Sequence, residues 1–206
     1  MTHDNKRFDS RRMQVLTGAE RWLEWDPPRF LARLGLHAGQ SVVDIGSGPG
    51  FWTQPLAEIV GPKGTVWALD ASQEMLDALA ARNLPAQVHL LRSELPKIDL
   101  PGHTIDLAWT AFVFHEVETP EELARELHRV VMPTGRVLVL DWRPDAESEK
   151  GPPRAHRLAP MQVMAWLNTA GFTRAEQIWQ DADHYLIEGK VEQVYGEKES
   201  DRHRIP

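Results

Sequence analysis

No cysteine occurs among the 206 residues, so disulfides, thiolate zinc sites, thiol nucleophiles and cysteine-dependent arsenic chemistry are excluded at the outset. No stretch approaches the ~18 continuous apolar residues that a membrane-spanning helix needs. The start, Met1 to Phe8, is polar and lacks the apolar core of a secretion signal, so a cytoplasmic location is the expectation. Dense Lys/Arg blocks are missing too. With 23 Lys and Arg against 30 Asp and Glu the formal charge is −7, which argues against a phosphate-tracking face for DNA or RNA and in favour of small substrates. What is present is ordinary for a folded chain: 42% hydrophobic and 26% charged residues, at a length suited to one domain with one core.

The most informative stretch runs from Val42 to Gly50. Val42, Val43 and Ile45 form a short β-branched run suited to a buried strand, and Gly46, Gly48 and Gly50 stop it at once. Apolar residues at helical spacing follow from Phe51, so the unit reads strand, glycine loop, helix, a layout that binds nucleotides. Glycine serves there because a Cβ holds a ligand off the backbone and because some turn positions need positive φ. The dinucleotide fingerprint wants its third glycine where this chain has Phe51, which argues against NAD or FAD. Thr65 to Asp70 reads as a second strand ending in an acid, placed to accept hydrogen bonds from ribose hydroxyls. On this reading the ligand carries a ribose.

Elsewhere the patterning predicts a helix over 9–25, with Met13, Leu16 and Leu23 apolar, and a second one capped by Asp26 and opened by Pro27. Ser72 is placed to cap a helix striped by Met75, Leu76, Leu79 and Ala80. Residues 87–91, 105–110 and 135–142 read as further strands. Between the last two, Thr119 to Glu122 has the form of a capping box for a helix that stops before Pro133. Residues 143–157 form a long polar loop, of the kind that is functional or mobile. A helix over 160–170 closes on Gly171, and 172–180 and 183–190 read as two strands. Residues 1–8 are expected to be mobile and the tail beyond Tyr195 disordered.

With Asp44 ahead of the glycines, Asp70 after the second strand and Ile105 to Thr110 beyond, the sequence resembles the class I S-adenosylmethionine-dependent methyltransferases. It is most similar to their small-molecule, ubiquinone/menaquinone-biosynthesis-like branch (methyltransferase type 11), over roughly Leu34 to Lys190. The resemblance implies an α/β fold: a Rossmann-like, doubly wound, seven-stranded, mostly parallel sheet with an antiparallel C-terminal edge strand. It divides the chain into an N-terminal helical lid or cap (1–34), a methyltransferase domain (35–190) and a polar tail (191–206). It implies S-adenosylmethionine as cofactor, S-adenosylhomocysteine as product, and cofactor contacts from Asp44, Gly46, Ser47, Gly48, Asp70, Ala71 and Thr110. Ser93, Glu94 and Leu95 take the place of the family's adenine-contacting residues, where an Asp with a small neighbour is usual. Trp22 and Trp25 are either part of the lid or core packing, and Met75 either touches adenine or, as is commoner for a Met at helical spacing, belongs to the core. The implied partner is a small-molecule methyl acceptor, with no metal and no nucleic acid, in a monomer or homodimer.

Methyl transfer from a sulfonium asks mainly for alignment of nucleophile, methyl carbon and sulfur. An oxygen or nitrogen nucleophile of high pKa also benefits from a general base, and His115, just past the fourth strand, is the candidate. The alternative is a His that merely begins the connection to the next helix beside Glu116. Convergence of Arg143, Arg154 and Arg157 would indicate a carboxylate or phosphate on the acceptor. Phe112, Phe114, Trp142 and Trp22 would instead wall an aromatic or quinone-like acceptor and hold the sulfonium by cation-π contact. Three functions compete: an active methyltransferase, a cofactor-binding protein that works through a partner without catalysis, and a nicotinamide oxidoreductase, which the glycine spacing disfavours.

Overall fold

The computed structural model describes residues 16–191; the expectations for residues 1–8, for Met13 and for the tail beyond Tyr195 lie outside them. The elements are α1 (Ala19–Trp25), α2 (Pro27–Ala32), β1 (Ser41–Ile45), α3 (Thr53–Val60), β2 (Thr65–Asp70), α4 (Gln73–Ala80), β3 (Val88–Arg92), β4 (Ile105–Ala111), α5 (Pro120–Val130), β5 (Val131–Trp142), α6 (Pro160–Ala170), β6 (Thr173–Gln180) and β7 (His184–Lys190). Seven strands form one sheet in the order β3-β2-β1-β4-β5-β7-β6. Neighbours from β3 to β5 are parallel, whereas β7 runs antiparallel to both β5 and β6. The antiparallel strand is thus the last in the chain and stands second from the edge. The order reverses between β1 and β4, and ligands of open α/β sheets bind at the carboxyl ends of the strands beside such a switch point.

The central strands are apolar on both faces because helices cover both, whereas the edge strands β3 and β6 are largely exposed. Val43, Ile45, Ala108, Val137, Val139 and Tyr185 pack with Leu123, Leu127 and Leu167 of α5 and α6. Their chain neighbours Val42, Trp109, Leu138, Leu140 and Leu186 pack with Leu31, Leu56 and Val60 of α2 and α3. This alternation is the two-residue period of a pleated strand read on two buried sides. A 3-10 turn at Gly61–Lys63 carries α3 into β2 at the end of the sheet opposite the glycine loop.

Local signals were partly overridden. The helix expected over 9–25 is interrupted at Gly18, whose extended backbone (φ −61°, ψ 151°) precedes α1. Asp26 does not cap α2: at φ 42° and ψ 65° it is the left-handed residue that closes α1, and its side chain makes no cap bond. Thr119 does not form a capping box either, since its side chain makes no cap bond and the Glu122 and Leu123 amides donate instead to its carbonyl at 3.0 and 3.1 Å. Ser72 does cap α4, accepting from the Met75 amide at 3.4 Å. β5 begins at Val131 rather than at Gly135. A Cβ on Gly135 would stand 2.7 Å from Val131 Cγ1 and 2.8 Å from the Asp106 carbonyl, so the glycine permits the close crossing that lengthens the strand. Among the described residues no helix is long and apolar enough to cross a membrane.

Candidate functional site

A cleft of about 1870 Å³ opens at the carboxyl ends of β1, β2, β4 and β5. Its floor is the glycine loop. Gly46 (φ +66°) lies so close to Val113 that an added Cβ would come within 2.5 Å of Cγ2, and a Cβ on Gly50 (φ +88°) would run into Leu79 of α4. Gly48 differs. At φ +53° its nearest neighbour to an added Cβ is Leu16 at 3.7 Å, so the backbone there faces the cleft rather than packed protein. The loop is tied to β2 by charge-assisted bonds: the Gly48 amide donates to Asp70 Oδ2 and the Ser72 amide to Asp70 Oδ1, both at 2.8 Å. The Ser47 amide donates to the Leu69 carbonyl at 2.9 Å, while its buried hydroxyl has no hydrogen-bond partner.

Asp44 stands behind this loop, 1% exposed, and accepts the Thr53 hydroxyl at 2.6 Å. Burial pushes its carboxyl up to about 7, the Thr53 bond opposing and the charge of Asp70 adding to the shift. It anchors the start of α3 and does not line the cleft. Of the other residues singled out from sequence, Gly46, Ser47, Gly48, Asp70, Ala71 and Leu95 line the cleft, and Ser93, Glu94 and Thr110 do not. The Ser93 hydroxyl donates to the Lys97 carbonyl at 2.8 Å, and Thr110 is fully buried with its hydroxyl unpartnered. Met75 is both buried and part of the cleft wall.

His115 lines the cleft from the 3-10 turn Phe114–Glu116. Its Nδ1 lies 2.7 Å from Asp141 Oδ1 at the end of β5, and its backbone amide donates to Asp141 Oδ2 at 3.3 Å. The Trp142 amide donates to the same carboxylate at 2.8 Å, so a fully buried acid is held by three donors. Burial pulls the His115 pKa down, but the charge and hydrogen bond of Asp141, with help from Glu116, more than offset it against an opposing Arg157. The net shift is upward.

The arginine triad does not converge on the cleft. Arg143 pairs with Asp145 at 2.8 Å, Arg154 donates to the Glu147 carbonyl, and buried Arg157 donates to the carbonyls of Pro152, Arg143 and Lys150 over the Trp142 ring. Arg157 therefore staples the 143–157 loop to itself. Phe114 is 0% exposed and belongs to the core, so it walls no ligand, whereas Phe112, Trp142 and His156 do line the cleft. Trp22 packs edge-on against Phe51. Trp25 faces the cleft within an aromatic network of Phe30, Trp52, Phe112, Trp179 and His184. Three lining or supporting residues escaped the sequence reading. The signal for Asp141 was an acid ending an otherwise apolar strand; Arg21, its guanidinium 4.3 Å over the Phe51 ring and pushed down to about 10 by burial against the opposing charge of Glu24, and His184 had none.

The family described as "Methyltransferase domain" matches residues 43–139. A ubiquinone/menaquinone biosynthesis C-methyltransferase of Ectopseudomonas mendocina is 31% identical over 162 residues, covering 76% of this chain and 60% of that protein. A demethylmenaquinone methyltransferase of a Geobacillus species is 32% identical over 140 residues, covering 66% of this chain and 58% of the relative. The chain thus spans about 60% of the length of the first of these curated relatives and 58% of the second. Among solved structures, a SAM dependent methyltransferase from Aquifex aeolicus matches with a TM-score of 0.83 at 32% identity, over 90% of this chain and 100% of that one. With a shared glycine-loop fold and a match at that identity along the whole of a solved relative, this chain belongs to the class I S-adenosylmethionine-dependent methyltransferases.

Proposed function

We propose that the chain transfers the methyl group of S-adenosylmethionine to a small-molecule acceptor. The observation that carries this reading is Asp70, a carboxylate at the cleft wall whose two oxygens are oriented by the Gly48 and Ser72 amides. An adenosyl group fits the cradle: the backbone of Gly48 is approachable from the cleft, Ser47 brings a buried hydroxyl with no protein partner, and Asp70 is placed to accept the ribose hydroxyls. Ala71 and Leu95 would border the adenine, with Ser93 and Glu94 shaping that end from outside the cleft. Asp44 and Thr110 support the loop from beneath. When bound, S-adenosylmethionine supplies an electrophilic methyl group on a sulfonium whose leaving thioether is neutral.

The chain's own residues then align the acceptor and receive its proton. A carboxylate only accepts, so the contact with Asp141 places the His115 proton on Nδ1 and leaves Nε2 to take a proton from the acceptor. Asp141 also stabilises the imidazolium so formed. The segment 1–34 acts as a cap over a 35–190 catalytic unit, a reading supported by Arg21, Glu24 and Trp25 in the cleft wall; 191–206 is a tail. The same reading keeps a cytoplasmic monomer or homodimer, and the charge of −7 weighs against a nucleic-acid partner.

Calorimetry with S-adenosylmethionine, S-adenosylhomocysteine and NADH tests the cofactor. Heat from the two sulfur compounds and none from NADH is expected; the reverse pattern would sink the reading. Incubation of methyl-labelled cofactor with a metabolite extract then tests the acceptor. A labelled small product supports transfer, cofactor binding without any labelled product favours a protein that works through a partner, and labelled protein or RNA overturns the small-molecule assignment.

A further inference from the structure

His184 opens β7 and is 3% exposed. Its Nδ1 lies 3.2 Å from each carboxylate oxygen of Asp181, and its amide and that of Asp183 donate to Asp181 Oδ1 at 2.6 and 2.8 Å. The carboxylate only accepts, so the ring proton sits on Nδ1 and Nε2 carries a lone pair. Burial pulls the pKa of this imidazole down, against the pull of Asp181, Asp183 and Glu24, which keeps the ring neutral. Nε2, on the edge of the ring away from Asp181, has no hydrogen-bond partner. A buried acceptor left unpaired is costly, and such an atom calls for an explanation.

The surroundings supply one. The His184 ring lies 4.3 Å from Trp142, 4.8 Å from Trp25 and 5.4 Å from Phe112, and all four side chains line the cleft. Across the sheet His184 pairs with Trp142, next to the Asp141 that holds His115. The unpaired nitrogen therefore sits in an aromatic box one residue along from the anchor of the candidate base. We propose that His184 Nε2 selects the methyl acceptor, receiving a hydrogen bond from the hydroxyl of a flat ring held against Trp25, Phe112 and Trp142. Nε2 is itself shielded, so a hydroxyl reaches its in-plane lone pair only when one of these neighbours moves aside. Phe112 directly follows β4 and Trp142 ends β5, whereas Trp25 ends the seven-residue helix α1, which makes Trp25 the neighbour expected to move. Face and edge contacts with the rings hold any flat molecule; the lone pair adds the discrimination, because a site built to receive a hydroxyl rejects an analogue without one.

This assignment rests on the methyltransferase reading above, and the test separates the two. Full-length protein saturated with S-adenosylhomocysteine is titrated calorimetrically with 2-naphthol and with 2-methoxynaphthalene, which differ by a blocked hydroxyl. The wild type is expected to prefer 2-naphthol by about tenfold or more. His184→Phe keeps the ring but removes the lone pair, so its preference should vanish while its affinity for S-adenosylhomocysteine stays. Should that variant fail to fold, Asp181→Asn is read instead: without the carboxylate the Nδ1 tautomer is less firmly fixed and the preference should shrink several-fold. No preference in the wild type, or an undiminished one in the variants, overturns the assignment while leaving the transfer reading in place. Failure to bind S-adenosylhomocysteine at all removes the transfer reading and this assignment with it.

Discussion

Two buried titratable groups at this site lose stability in the same direction with pH, in different windows. Asp44 is held near 7 in the folded chain, far above the ~3.9 of a free Asp, so the native state binds a proton that the unfolded chain has released. Its contribution to stability therefore falls as pH rises from about 4 to about 7 and is constant beyond. Asp44→Asn keeps a carbonyl for the Thr53 hydroxyl and abolishes that loss. It should raise the melting temperature at pH 8 by more than at pH 5, and an equal change at both would show that the carboxyl is not protonated in the fold. His115 is raised as well, so its contribution has the same sign in a higher window: full below about 6.5 and lost as pH climbs through its folded value. Turnover, which needs the neutral ring, should rise on the alkaline side of that range. In Asp141→Asn burial is left less opposed, so the ascending limb of the kcat profile should move to lower pH while the plateau falls about 10²-fold, the low end for losing general-base catalysis. The glycine loop and Asp70 were legible in sequence because their pattern is local. The pairing of His115 with Asp141 was not, because only the parallel register of β4 on β5 brings those positions together.

At the level of elements, capping shows why residue preferences read from sequence reach only so far. Ser72 and Thr119 carry the same kind of hydroxyl, yet only Ser72 presents its side chain to the helix, with an extended backbone at φ −87° and ψ 117°; Thr119 sits at φ −125° and ψ 72° and leaves the task to its carbonyl. The approach of each chain segment to its helix decided the outcome, and that is a tertiary fact. The same holds for the three arginines of the 143–157 loop, which look alike in sequence and are sorted only by burial. Arg157, at 7% exposure, bonds three carbonyls. Arg157→Ala strands all three and is expected to loosen the loop at a cost of about 2–4 kcal/mol. Limited trypsin digestion reads this as faster cutting after Lys150 and Arg154, while an unchanged cleavage rate would mean that the loop is held by something else.

For the whole molecule, the mostly parallel seven-stranded sheet, two-faced core and cradle were readable because β-branched runs, glycine positions and family motifs all pointed the same way, whereas the place of the antiparallel strand inside the edge was not. The aromatic box was not, since Trp25, Phe112, Trp142 and His184 come from four separate parts of the chain. Folding and cofactor binding are linked through this architecture. S-adenosylhomocysteine at 100 times its dissociation constant should add about 2.7 kcal/mol to the stability of the wild type, or a rise of several degrees in melting temperature. At the same concentration Asp70→Ala should forfeit most of that rise, and an equal rise in both proteins would show that the acid does not hold the ribose. All of these groups gather at one rim, and the opposite rim, where the Gly61–Lys63 turn sits, carries none. A Cβ placed on Gly61 meets nothing within 4 Å, so a tether attached at Pro62 would ride on the blind side of the sheet and leave entry to the crevice unobstructed.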